Sequence, residues 1–249
     1  MSKKLIIGNW KCNPLKTSEA LKIFNDIKSS AENSKTSETI ICPPNIFLKD
    51  LLALKTKIKI GAQNCFWEKQ GAYTGEVSAG MLKNMGCKYV IIGHSERRKI
   101  NKETNEEINK KIISVLENKL IPIFCFGENR EERENEKTFD VLKNQIQEGI
   151  DKIAKPDIAK IIFAYEPIWS IGSGNFAAPE QIKEVRDFII RLLSQKIGKE
   201  NIGKIKIIYG GSVNAENTPS YFNQAQMDGV LVGGMSLKPI EFSKIIKSA

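Results

Sequence analysis

Two side chains that could exchange protons stand where apolar segments of the chain end. His94, the only histidine, follows the apolar residues 89–93, and Glu166 follows residues 161–165 and precedes Pro167. An imidazole gains or loses a proton near neutral pH, and a carboxylate that is partly removed from water can act as a general base. Taken singly, His94 could be a structural residue and Glu166 a solvated acid. Together they predict acid-base chemistry.

A cation and three glycine-rich sequences accompany this pair. Asn9 and Lys11 follow the first apolar segment, and the glycine-rich sequences are residues 171–174, 210–212 and 233–234. Glycine lets the backbone approach a ligand closely and direct N–H groups at it. The set indicates a phosphate ligand, although any one sequence could be an ordinary turn and Lys11 could form a surface ion pair.

The chain repeats one pattern of a short apolar segment followed by a longer one with helical periodicity. The apolar segments begin near Leu5, Thr39, Ile58, Tyr89, Ile121, Ile161, Ile205 and Val230. Residues 105–116 and 180–195 are two of the predicted helices. No linker divides the repeats, so we predict one domain over residues 1–249, an α/β closed barrel of the (β/α)8 type. An open doubly wound sheet is the alternative. In a barrel, functional residues gather where the strands end.

Composition limits the class of protein. With 41% hydrophobic and 27% charged residues, the chain has material for a large core. No segment has the length of a membrane span or the form of a signal peptide, so we expect a cytoplasmic protein without membrane contact. Five cysteines without a close pair and one histidine disfavour disulfides and a metal site. The net charge of +9 suits an anionic partner, but the lysines are scattered without a nucleic-acid motif, so we expect no nucleic-acid binding.

Several blocks of the sequence, in order along the whole chain, resemble those of the triosephosphate isomerase family. They are residues 8–11, 61–64, 71–76, 92–98, 164–169, 209–213 and 231–234. The resemblance implies a single-domain TIM barrel and the reversible isomerisation of D-glyceraldehyde 3-phosphate and dihydroxyacetone phosphate, a step of glycolysis and gluconeogenesis. Proton transfer through an enediol would carry the reaction. No cofactor is expected, because no electrons leave the substrate.

The resemblance also implies roles for individual residues. Glu166 would move the proton, and His94 would donate a hydrogen bond to the developing oxyanion as a neutral ring, favoured by the dipole of a short helix that begins near Ser95. Lys11 would supply positive charge and Asn9 would orient the carbonyl end of the substrate. The phosphate would be bound by Gly172, Ser212, Gly233 and Gly234. Glu96 resembles an acid that the family has beside these groups.

A homodimer is implied as well. The loop from Gln63 to Glu76 would enter a pocket of a second subunit, with Thr74 at its tip. This loop carries aromatic residues that a monomer would expose to water. Cys12 would lie at the interface, where its thiol could be either reactive or inert.

Some positions differ from the family pattern. Residues 167–177 are typical of a lid that closes over a substrate. Ser170 replaces a more usual alanine in this lid, and Asn175 and Phe176 form an unusual second hinge. Met235 stands where alanine commonly follows the two glycines. These differences concern the lid and the phosphate pocket, and they leave the base, the imidazole and the lysine unchanged.

Two other functions stay open from the residues alone. One is another phosphosugar isomerase, epimerase or lyase that shares the glycine-rich phosphate site on the same barrel. The other is a binding protein whose basic exterior recognises acidic polymers. Activity on other sugar phosphates would identify the first, and salt-dependent binding without isomerase activity would identify the second.

Overall fold

Eight parallel strands form a closed barrel in chain order. The computed structural model describes residues 3–172 and 175–249, so Ser173 and Gly174 of the expected lid lie outside the described residues. The strands are β1 Lys4–Asn9, β2 Ser37–Cys42, β3 Lys59–Ala62, β4 Tyr89–Ile92, β5 Ile121–Phe126, β6 Ile162–Tyr165, β7 Lys206–Tyr209 and β8 Gly229–Val232. Because β8 pairs with β1, the predicted (β/α)8 barrel is confirmed and the open doubly wound sheet is excluded.

Helices surround the barrel and connect its strands. In the described part of the chain they are α1 Thr17–Asn33, α2 Leu48–Leu52, α3 Ala79–Met85, α4 Ser95–Ile100, α5 Asn105–Glu117, α6 Arg130–Glu134, α7 Thr138–Gly149, α8 Lys155–Ile158, α9 Pro179–Ile197, α10 Thr218–Asn223 and α11 Pro239–Lys247. The two helices predicted by periodicity correspond to α5 and α9. Helix α9 buries Ile182, Val185, Ile189 and Leu193, one face of a helix. None of the described helices is long and apolar enough to cross a bilayer.

The strands have apolar side chains on both faces. One buried cluster consists of strand residues alone and fills the barrel; it includes Ile7, Ile91 and Cys125. Their sequence neighbours Ile6, Val90 and Phe124 belong to the larger cluster that packs against the helices. Successive residues of a strand point to opposite faces, so the near-continuous apolar segments in the sequence reflect burial on both sides. This packing fixes the ends of the strands, where the polar residues begin.

The cysteines divide by burial. Cys42, Cys65, Cys87 and Cys125 are buried free thiols, whereas Cys12 is exposed just after β1. Burial raises the pKa of Cys65 to about 12 and that of Cys87 to about 11. It raises the pKa values of Cys42 and Cys125 well above the usual range of a thiol. Since the thiolate is the reactive form, these four groups are inert near neutral pH.

We expect an aromatic disulfide reagent to modify Cys12 alone in the native protein near neutral pH once dilution has made the chain monomeric. The other thiols stay protonated and inaccessible until the barrel unfolds. Absorbance of the released thiolate should therefore report one group per chain in the native protein and all five cysteines after denaturation. Cys12→Ser is the control and should abolish the native reaction. Rapid modification of a second thiol in the native protein would contradict this expectation.

Candidate active site

A cavity of about 300 Å³ opens at the C-terminal ends of the strands. Every residue that the sequence assigned to the site lines it: Asn9, Lys11, His94, Glu166, Gly172, Ser212, Gly233 and Gly234. These residues belong to strands β1 and β4 and β6 to β8 or to the loops that follow them. Closure of the barrel therefore brings distant parts of the sequence to one cavity of a size suited to a small molecule.

The ring of His94 is held in one tautomer by the helix that follows it. His94 is the N-cap of α4, and its Nδ1 accepts a hydrogen bond from the backbone N–H of Glu96 at 3.2 Å. A ring nitrogen that accepts a hydrogen bond carries no proton, so this contact favours the tautomer with its hydrogen on Nε2. The helix begins at Ser95 as predicted. Nε2 lies 3.3 Å from Oε1 of Glu166, and it is available to donate to a ligand.

Glu166 is buried with its two carboxylate oxygens in different surroundings. Oε2 accepts a hydrogen bond from the backbone N–H of Ser95 at 3.0 Å. Oε1 has no hydrogen-bond partner among the described residues. The backbone N–H of Glu166 donates to the carbonyl of Phe126 at 2.8 Å, which joins the residue to the end of β5. One oxygen is thus anchored and the other is left to act on a ligand.

Lys11 has a strained backbone that two side chains support. Its φ of 54° lies in the left-handed region, which non-glycine residues rarely adopt. The Lys11 N–H donates to Oδ1 of Asn9 at 3.0 Å, and its carbonyl accepts from Nε2 of Gln63 at 2.9 Å. The ammonium group lies 2.5 Å from Oε1 of Glu96. These contacts hold the cation at the wall of the cavity.

Described residues of the three glycine-rich sequences also line the cavity. Gly172 has a φ of 68°, a conformation that glycine adopts at little cost. A Cβ on Gly233 would lie 3.3 Å from Cε of Lys11, so the loop runs close to the cation. Ser212 donates its hydroxyl to the carbonyl of Ser170 at 2.5 Å. Backbone N–H groups in such loops can bind an anion.

Three of the residues that differ from the family pattern lie in or beside the cavity. Ser170 is buried and donates its hydroxyl to the carbonyl of Pro167 at 2.9 Å. Its Oγ also lies 3.4 Å from the hydroxyl of Tyr209. Phe176, which is half exposed, and Met235 both line the cavity.

Sequence reasoning missed several residues that position the site. Ser95 contributes a backbone N–H, which no side-chain pattern reveals. The sequence marks Gln63 only as the start of a loop. Glu128 is completely buried beside the segment that follows Glu166. The residues that follow it in the sequence are mostly charged, and they give no sign that this side chain is buried. Among the described residues, no group of three or more His, Cys, Asp or Glu is placed to hold a metal ion.

Comparison with known proteins gives one consistent family. The family model described as Triosephosphate isomerase matches residues 4–249. The triosephosphate isomerase of Dictyoglomus thermophilum is 47% identical over 252 residues and covers 100% of both chains. That of Dictyoglomus turgidum is 46% identical over 251 residues, again with 100% of both chains covered. That of Alkaliphilus oremlandii is 43% identical over 247 residues, with 99% of each chain covered.

Gly127→Ala should destabilise the fold next to the cavity. A Cβ at Gly127 would overlap the backbone carbonyl of Glu166, and backbone cannot move aside as a flexible side chain can. We expect a loss of about 3 kcal/mol in the free energy of unfolding, measured by urea denaturation. Gly203→Ala is the matched control, because nothing lies within 4 Å of its added Cβ; it should change the same quantity by less than about 1 kcal/mol. Equal stability of the two variants would contradict the packing described.

Proposed function

The chain belongs to the triosephosphate isomerase family and is an isomerase of triose phosphates, and we propose that Glu166, His94, Lys11 and Asn9 carry out its reaction. The substrate would lie in the cavity with its carbonyl end toward these residues and its phosphate toward the glycine-rich loops. The observation that carries the proposal is the pairing of an unoccupied carboxylate oxygen of Glu166 with the donor nitrogen of His94, 3.3 Å apart.

Glu166 acts as the general base. Its Oε1 takes the proton from the carbon next to the substrate carbonyl; the electron pair of the broken C–H bond forms a C=C double bond, and the carbonyl π pair moves onto its oxygen to give an enediolate. A proton then passes from the neighbouring hydroxyl to this oxygen through the enediol, so that the carbon that lost its proton can become the new carbonyl carbon. The same carboxyl group returns the proton to the former carbonyl carbon, which exchanges the aldehyde and the ketone. The hydrogen bond from the Ser95 N–H to Oε2 supports this role, because it orients the carboxylate without occupying the oxygen that accepts the proton.

His94 and Lys11 stabilise the negative charge that develops on the substrate oxygen. The Nε2–H of His94 donates a hydrogen bond to that oxygen, and the ammonium group of Lys11 supplies positive charge. Asn9 orients the carbonyl end of the substrate. The ion pair between Lys11 and Glu96 supports this arrangement by fixing the cation at the cavity wall. Such charge stabilisation is strong in a cavity from which water is excluded.

Gly172, Ser212, Gly233 and Gly234 bind the phosphate. They lie at the end of the cavity that the loops after β6, β7 and β8 enclose, where barrels often bind phosphate. The reaction moves a proton between adjacent carbons and removes no electrons, so we propose that it needs neither a cofactor nor a metal ion. Membership of the family favours this isomerisation over another phosphosugar reaction and over a binding function.

The working assembly in this proposal is a homodimer formed through the loop from Gln63 to Glu76. In that loop the ring of Phe66 lies 4.2 Å from that of Trp67 and 4.7 Å from that of Tyr73. Tyr73 is 44% exposed. An aromatic cluster on a protruding loop supports burial against a second copy. We also assign the enzyme to the cytoplasm, because free cysteines suit a reducing compartment.

Glu166→Gln should fold normally and lose roughly 100- to 10,000-fold in kcat, the usual contribution of a positioned general base. Gln has nearly the same shape but cannot accept the proton. A coupled assay with glyceraldehyde 3-phosphate measures the loss, and circular dichroism checks the fold. Turnover close to that of the wild type would eliminate Glu166 as the base, whereas an inactive wild-type protein would disprove the isomerase itself.

Tyr73→Glu should dissociate the dimer and lower activity about 100-fold, because the loop from one subunit is proposed to enter a pocket near Lys11 of the other, and a misplaced catalytic lysine can cost that much. The introduced charge would be buried without a partner at the interface. Analytical ultracentrifugation gives the mass, and the coupled assay gives the activity of the same sample. Ile240→Glu is the control: Ile240 is 79% exposed on α11, outside the loop, and its variant should stay dimeric. A fully active monomer of either variant would contradict the proposed role of dimerisation.

A further inference from the structure

A buried carboxylate with three hydrogen-bond donors lies beside the segment that follows Glu166. It belongs to Glu128, whose side chain is fully buried. Its Oε1 accepts from the indole of Trp169 at 2.9 Å, from the hydroxyl of Tyr165 at 3.1 Å and from the guanidinium of Arg133 at 3.1 Å. Burial raises the pKa of Tyr165, so its hydroxyl remains a donor. The roles assigned above to the cavity residues do not use this cluster.

Arg133 contacts the face of the Trp169 indole, whereas Glu128 accepts a hydrogen bond from its edge. Its guanidinium carbon lies 4.7 Å from the centroid of the indole ring, a cation–π contact. The edge of the indole is therefore bonded to Glu128 while its face is covered by Arg133. A planar guanidinium can stack on a ring and pair with a carboxylate at once, which an ammonium group does less well. The three side chains form one unit, and Arg133 ties it to helix α6.

This unit is joined to the proposed base through a very short piece of backbone. Trp169 lies in the 3-10 turn Ile168–Ser170, three residues after Glu166. The N–H of Ile168 donates to the carbonyl of Glu128 at 3.0 Å, and the N–H of Ser170 donates to the carbonyl of Pro167 at 2.9 Å. Because the turn is bonded internally and to Glu128, a displacement of the indole would also displace the backbone next to Glu166.

We propose that Arg133 is a positioning residue for the isomerisation. By stacking on Trp169 and pairing with Glu128, it fixes the turn after Glu166 and thereby the direction of the carboxylate. The inference rests on the proposed role of Glu166 as the base. Arg133 is not among the described residues that line the cavity, so its effect on the reaction passes through Trp169 and Glu128.

Three variants separate this role from a general effect on folding. Arg133→Met removes both the stacking and the ion pair while keeping a long side chain. Arg133→Lys keeps the positive charge opposite Glu128. Arg130→Met is the matched control, because Arg130 is an exposed arginine on the same short helix. Each protein is assayed for kcat and KM, and for inorganic phosphate that is released when the enediol intermediate eliminates its phosphate instead of being reprotonated.

For Arg133→Met we expect kcat to fall roughly 3- to 30-fold with KM nearly unchanged. The ratio of phosphate release to isomerisation should rise at least about threefold, because a misdirected carboxylate reprotonates the intermediate more slowly. This ratio does not depend on how much of the protein is folded, so loss of stability alone would not change it. Arg133→Lys should recover part of kcat, and Arg130→Met should match the wild type.

The position of the indole is read independently by fluorine NMR of protein labelled with 5-fluorotryptophan. The chain has three tryptophans, and the resonance of Trp169 is identified by its loss in Trp169→Phe. In Arg133→Met this resonance should shift or broaden, while those of Trp10 and Trp67 stay in place. Should Arg133→Met fail to fold, Arg133→Lys takes its place. Its ratio of phosphate release to isomerisation should then rise and its Trp169 resonance should shift, each by less than is expected for Arg133→Met.

An unchanged ratio together with an unchanged Trp169 resonance would overturn the proposal, as would equal effects of Arg133→Met and Arg130→Met. A shifted resonance with an unchanged ratio would also overturn it, since Arg133 would then hold the indole without positioning the base. An unaltered kcat in Glu166→Gln would instead disprove the role of Glu166 as the base. That outcome is measured by the coupled assay alone, so it is distinguished from a failure of the role proposed for Arg133.

Discussion

Removal of the Glu166 carboxylate from water is the constraint to which the rest of the cavity conforms. A buried carboxylate is stable only where hydrogen-bond donors compensate for its lost hydration. The N–H of Ser95 supplies one donor, and the imidazole of His94 faces the other oxygen. Both come from the junction of β4 and α4, so a single strand exit supports the carboxylate and orients the ring. Lys11, in the loop that follows β1, completes this end of the cavity.

The sequence predicted the barrel well because burial on both faces leaves a clear apolar pattern. The structure places β4 and β5 at the positions expected from Tyr89 and Ile121, and the other strands begin within two residues of their predicted starts. Helices α2, α6 and α8 have four or five residues each, too few to show a periodicity. Their positions depend on packing that is established only when the barrel has closed.

For the cavity, side-chain identities were predictable and backbone contributions were not. His94 and Glu166 attract attention as chemical groups, and the family blocks point to the glycines of the loops. The N–H of Ser95 acts regardless of its side chain, and the positive φ of Lys11 follows from contacts with Asn9 and Gln63. Glu128 sits in a stretch of acidic and basic residues that resembles a solvated surface, and two of its three donors, Tyr165 and Trp169, come from a distant part of the sequence.

The fixed tautomer of His94 has a practical consequence, since the chain has no other histidine. Isotopic labelling of this one residue type would give nitrogen resonances from the cavity alone, without overlap from the rest of the molecule. The two ring nitrogens differ sharply in chemical shift when only one carries hydrogen. Because the chain has a single histidine, NMR can therefore observe this imidazole directly in the protein without any substitution.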